Sequence, residues 1–171
     1  NGNLRKYASI DWYVENARQK SRNFAQLNGD ALHASIALEP WRFSQFGGEP
    51  HYDIVILNED LYTRSSSFLV GMGDLHTSAI LSTFRFSNLV GEMRYEAIKT
   101  LAMHEIEHMF ELIQDDRTEM VEENIGKHCT NLCVMRQGNQ VPNDWVKMTM
   151  QRLDMQPYCE TCVFDLQEYF R

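Results

Sequence analysis

Five consecutive residues, His104-Glu105-Ile106-Glu107-His108, constrain this chain more than any other stretch. They lie in a segment from Glu92 to Leu112 that has no Gly or Pro, and Ile98, Leu101, Ala102, Met109 and Leu112 recur in it at helical steps. That period predicts one helix with a buried stripe. Residues four apart stack on one helical face, so His104 and His108 can reach a single ion. Zinc suits them: it takes neutral imidazole nitrogens, accepts four ligands, and in catalytic sites leaves one position for water. Glu105, beside the first imidazole, is then placed as general base on a metal-bound water. The plain alternative is a helix with two solvated or core histidines; its methionines read as core filler.

The cysteines add a second constraint. All four fall in the last third, as two close pairs, Cys129/Cys133 and Cys159/Cys162. Two short clips brought together make a tetrathiolate zinc site. Two disulfides and a redox Cys-x-x-Cys are the alternatives. The redox motif is expected to open a helix after a strand, whereas Cys159 follows Pro157 and Tyr158.

Charge narrows the partners. The chain has 24 acidic against 16 basic residues, a net charge of −8. Nucleic acids and membrane surfaces need clustered Lys and Arg, so neither is expected as a partner. No apolar run approaches a membrane span, and no leader peptide is legible at the start. The chain opens on Asn rather than Met, which leaves its natural N-terminus open. The 171 residues suffice for one domain of ordinary size with a real core; a cytoplasmic location and a monomer are expected.

Elsewhere the pattern predicts alternating helices and strands. Ile10, Val14, Ala17, Phe24 and Leu27 suggest a first helix within residues 1–28. Leu32, Ala34, Ile36 and Leu38 alternate as a half-buried strand, with His33 on its surface face. Pro40 to Pro50 reads as a loop, and Tyr52 to Leu57 as a central strand covered on both faces. A brief strand from Phe68 to Val70 is expected to end in a turn at Gly71-Met72-Gly73-Asp74, with His76 an exposed loop residue rather than a ligand. Thr77 to Phe86 reads as a strand. The acidic stretch from Gln114 to Asn124 reads as a solvated face that extends the long helix or forms a second short one, stopped by Gly126. A helix from Asp144 to Asp154 is expected to bury Val146, Met150 and Leu153, and Phe164 to Phe170 to form a last short helix. No repeat or linker appears, so residues 1–171 are expected to form a single domain.

The ordered set His104, Glu105, His108, His128, Cys129, Cys133, Met135, Cys159 and Cys162 resembles the archaemetzincins, metallopeptidases of the metzincin clan. Ala79 to Arg85 is similar to the segment that precedes their active-site helix. The resemblance spans about Tyr52 to Cys162. It implies an α/β (α+β) fold, a twisted mixed sheet packed on an N-terminal helix and the zinc-binding helix, with a small C-terminal tetracysteine zinc subdomain. The parts would be 1–112 for sheet and helix, 113–127 for an insertion, and 128–171 for the rest. It implies two zinc ions: a catalytic one on His104, His108 and His128 with Glu105 as base, and a structural one on Cys129, Cys133, Cys159 and Cys162. Met135 would form the methionine turn beneath the histidines.

Two departures stand out. Glu111 occupies the family's helix-stopping Gly position, so the helix need not stop there. Nineteen residues separate His108 from His128, where the family has a short turn. A Glu on the following segment (Glu119, Glu122 or Glu123) is the competing third ligand, as in another class of zinc peptidase. The function implied is hydrolysis of a peptide or protein substrate, as an endopeptidase or an aminopeptidase. An aminopeptidase needs an acidic anchor for the substrate amine, for which Asp74, Glu111 and the insertion are candidates. The strand from Ala79 to Phe84 is expected at a sheet edge, where an extended peptide can pair. The rival reading is a zinc-stabilised binding or latent module whose insertion covers the site.

Overall fold

The structure, a computed structural model, describes residues 9–39, 51–123 and 126–171. The loop expected at 40–50 and the first eight residues lie outside this set. The elements run α1 (Ile10–Gln19), β1 (Leu27–Asn28), α2 (Gly29–Ala37), β2 (Asp53–Leu57), β3 (Leu61–Tyr62), β4 (Gly71–Asp74), β5 (Ser78–Ser82), a 3-10 turn at Phe84–Phe86, α3 (Gly91–Met109), β6 (Met120–Glu123), β7 (Gly126–Cys129), α4 (Asn143–Asp154) and α5 (Glu160–Tyr169).

The strand at the centre is β5. It pairs in parallel with β2 and antiparallel with β4, and all five of its residues are buried. Successive strand side chains point to opposite faces, so its apolar run divides in two. Ala79 and Leu81 pack with Leu101 and Met109 of α3 and with Trp145 and Met148 of α4. Ile80 packs on the other side with Ala17 of α1 and with Leu32 and Ile36 of α2. The result is a mixed sheet with helices on both faces, as the α/β expectation required.

Four expectations about these elements are corrected. The central strand is β5, whereas β2 lies at the edge with Ile54 and Ile56 half exposed. A short apolar run does not distinguish the two positions. Second, Leu32 to Leu38 is helical. Asn28 caps α2 by accepting from the Ala31 amide at 3.1 Å, and Leu32 and Ile36 face inward four apart while Leu38 is exposed. The apparent alternation was an i, i+4 pair with an apolar residue between. Third, Gly71 to Asp74 is a strand rather than a turn. Fourth, α4 buries Trp145, Met148 and Thr149 and exposes Met150 and Leu153. In the N-terminal segment the helix ends at Gln19, Phe24 is exposed, and Leu27 is buried from β1.

The long helix does stop. α3 ends at Met109, and Glu111 adopts a left-handed φ of 50°. The Glu111 amide bonds the His108 carbonyl and the Leu112 amide bonds the Glu107 carbonyl, both at 3.2 Å. This is the paired closure of a Schellman motif, reached without glycine. The acidic stretch then forms neither a helix extension nor a second helix. β6 and β7 make an antiparallel hairpin in which Val121 faces His128 and Met120 faces Cys129.

Candidate metal centres

Three imidazoles converge beside a cavity of about 260 Å³. His104 and His108 project from one face of α3, and His128 arrives on β7, so that their donor atoms lie within 4.8 Å of one another. Backbone carbonyls set the tautomers. Nδ1 of His104 meets the Val134 carbonyl at 2.7 Å, and Nδ1 of His128 meets the Gly126 carbonyl at 3.1 Å. A carbonyl only accepts, so both Nδ1 atoms carry the proton and both Nε2 atoms present a lone pair inward. Burial first, then the neighbouring histidines, hold His104 well below the usual imidazole range; burial and His128 bring His108 down to about 3. Neutral imidazoles bind a metal without first losing a proton. The Nε2 atoms of His104 and His108 are 3.1 Å apart. Two nitrogens on a tetrahedral zinc with bonds of about 2.0–2.1 Å stand about 3.3 Å apart, so the donor set fits that ion.

Glu105 lies one residue along, 4% exposed and beside the same cavity. Burial pushes its carboxyl up to about 8, with the Gly73 amide pulling the other way through a hydrogen bond. The fit against β4 depends on bare backbone. A Cβ at Gly71 would stand 2.3 Å from Glu105 Oε1, and one at Gly73 would stand 2.3 Å from the Glu105 carbonyl oxygen. The Gly-x-Gly spacing, read as a turn, was the available signal: at period two it leaves one strand face bare for a helix to approach.

The cysteines form a second centre. Cys129 ends β7, Cys133 lies in the loop after it, Cys159 caps α5 and Cys162 sits in its first turn. The Cys129–Cys159 and Cys133–Cys162 sulfur distances are 3.7 and 3.8 Å. A disulfide needs about 2.05 Å, whereas thiolates about 2.3 Å from a tetrahedral zinc stand about 3.8 Å apart. All four cysteines are free. The second pair does open a helix, but each of its sulfurs lies beside one from the first pair. Hydrogen bonds from Cys133 and Cys162 hold the Cys129 thiol well below its usual range, and Cys129 in turn raises Cys133 and Cys162. Met135 is fully buried among Leu112, Ile113 and these cysteines, and the residue before it supplies the carbonyl on His104.

The other named residues lie apart from the imidazoles. Glu119 and Glu122 are absent from the histidine cluster, and the Glu123 side chain is outside the described set. His76 is exposed in the β4–β5 turn. His33 pairs with Asp74 at 3.3 Å, and Glu111 with Lys127 at 3.7 Å. None of Asp74, Glu111 or residues 113–127 lines the cavity, so among the described residues the insertion does not roof it. The edge of the sheet beside the cavity belongs to β4, not to the strand from Ala79 to Phe84. A third trio, Glu39, His51 and Asp53, gathers its donors elsewhere, its imidazole 3.8 and 3.6 Å from the two carboxylates.

Two solved structures are similar to this fold. One is archaemetzincin (AmzA) from Archaeoglobus fulgidus complexed with malonate, with a TM-score of 0.57 and 24% identity over 82% of this chain and 70% of that one. The other is archaemetzincin (AmzA) from Methanopyrus kandleri, with a TM-score of 0.62 and 19% identity over 99% of this chain and 91% of that one. No family model matches the sequence, and no curated protein matches it. The chain therefore has an archaemetzincin-like fold. Among the described residues, no helix is long and apolar enough to cross a membrane.

Proposed function

We propose that this chain is a zinc-dependent endopeptidase, with His104, His108 and His128 as ligands of the catalytic ion and Glu105 as general base. The observation that carries the reading is the meeting of three imidazoles and one buried carboxyl group at one cavity. A zinc ion held there would supply Lewis acidity, lowering the pKa of a water molecule toward neutrality and polarising the scissile carbonyl. Glu105 takes the proton as water attacks and returns it to the leaving amine. The carboxyl faces the cavity beside the imidazoles, and a dication held there would favour its ionised form, the form that accepts the proton. Cys129, Cys133, Cys159 and Cys162 hold a second, structural zinc, and Met135 sits in the methionine turn.

Internal cleavage fits the cavity better than aminopeptidase action. Apart from Glu105 it is lined by no carboxylate that would anchor a substrate amine, among the described residues. β4 borders it. Since the Ser82 amide bonds the Val70 carbonyl, the alternating ladder turns the backbone groups of Gly71 away from β5, toward an incoming chain.

The test is Glu105→Gln, assayed on free and N-acetylated peptides alongside metal content. Turnover is expected to fall about 10²–10⁴-fold with zinc retained, and the wild-type protein to cleave acetylated peptides as well as free ones. Unchanged turnover in Glu105→Gln would remove the base assignment, and cleavage confined to free N-termini would restore the aminopeptidase reading.

A further inference from the structure

Arg117 is a cation in the acidic insertion, and its side chain is only 4% exposed. Its guanidinium lies against the cysteine cluster. Nη2 donates to Cys129 Sγ at 3.2 Å and Nη1 to Cys162 Sγ at 3.5 Å, while Nη1 also donates to Asp165 Oδ2 at 2.8 Å. The two sulfurs belong to different clips, one on β7 and one on α5. We propose that Arg117 is a positioning residue of the tetrathiolate centre, a fixed outer-sphere cation that clamps the two clips together and offsets the charge gathered there. This rests on reading the four cysteines as a zinc site.

The charge balance gives the reason. Four thiolates around a divalent ion would leave two negative charges in a buried place, where they are costly; Arg117 sets its positive charge directly on two of the sulfurs, with the Asp165 carboxylate as its own counter-ion. Arginine stays protonated, offers five donors and has no lone pair to compete as a ligand. Its planar fork reaches two sulfurs at once, and Asp165 fixes its orientation. Outer-sphere donors of this kind govern metal affinity by about 10–100-fold. A lysine ammonium is a point charge on a flexible stem and recovers only part of the effect. The insertion thereby gains a role. It carries the guanidinium to the cysteine cluster and returns as the hairpin that bears His128 and Cys129.

The experiment uses the full chain, with Arg117→Met, Arg117→Lys and Asp165→Asn. Zinc affinity and release are measured by competition with a chromophoric chelator, and thiolate–cobalt charge-transfer bands are recorded after cobalt substitution. Arg117→Met is expected to weaken the cysteine site about 10–100-fold and shift the charge-transfer bands, with smaller changes in Arg117→Lys and Asp165→Asn. Should Arg117→Met not fold, a graded loss in the other two carries the same expectation. Wild-type affinity and spectrum in every folded variant would overturn the role of Arg117 alone. Absence of thiolate–cobalt bands in the wild-type protein would overturn the zinc reading beneath it.

Discussion

At the scale of single residues, the two glycines of β4 separate catalysis from folding. A methyl group at Gly71 meets the Glu105 side chain, with Oε1 at 2.3 Å and Cγ at 2.6 Å. A side chain can turn aside, so Gly71→Ala is expected to cost more than tenfold in turnover while the melting temperature stays close to wild type. A methyl at Gly73 meets the Glu105 carbonyl at 2.3 Å and His108 Cβ at 2.6 Å, both fixed by the helix. Gly73→Ala is therefore expected to destabilise the fold by about 1–3 kcal/mol or more, read as a lower denaturation midpoint. Glu105 and the two histidines of α3 were legible because local spacing alone puts them on one helix. The carbonyls that orient the imidazoles were not, since Val134 lies thirty positions from His104 and no local pattern joins them.

At the scale of elements, α3 carries two adjustable features. Its C-terminus places Glu111 at φ 50°, a conformation that costs an L side chain about 1 kcal/mol and glycine almost nothing. Glu111→Gly is expected to raise stability by about 0.5–1 kcal/mol in thermal melts, less whatever its partly exposed pair with Lys127 contributes. Its sequence signal misled because a preference for glycine is not a requirement: the two closing hydrogen bonds and the burial of Leu112 hold the turn. Nearer the middle, Arg152 of α4 pairs with Glu96 and donates to Thr100 Oγ1 at 3.1 Å, joining α4 to α3. The Arg152 hydrogen bond holds the Glu96 carboxyl below its ordinary 4.5. A depressed carboxyl stabilises the fold above the unfolded value and loses that contribution as pH falls through the folded one. Melts of Glu96→Gln and wild type are thus expected to differ at neutral pH and to converge in acid. A gap that stays constant with pH would assign the effect to packing instead.

At the scale of the whole molecule, the two centres are joined by one peptide bond. His128 and Cys129 are consecutive on β7, and their side chains leave opposite faces of the strand, toward different clusters. The Cys129 amide also bonds the Met135 carbonyl at 2.9 Å, so the loop that bears Cys133 closes under the histidines. The adjacency of His128 and Cys129 was legible in the sequence, but the strand that carries them was not, because the acidic composition of the insertion hid a hairpin. That junction predicts an asymmetry. On the proposed reading of two zinc ions per chain, His128→Ala removes one of the three proposed ligands of the imidazole site and leaves every sulfur in place, so metal content is expected to fall from two ions per chain to one. Cys133→Ser opens the tetrathiolate, frees the end of β7, and withdraws the fixed position from which His128 reaches its neighbours. It is expected to lower occupancy at both sites and to reduce turnover as well as melting temperature, although Cys133 contributes no donor to the imidazole cluster. Metal analysis of the two variants after dialysis checks this. Equal, single-site losses in both would mean that the centres are independent and that β7 holds His128 without help from the cysteines.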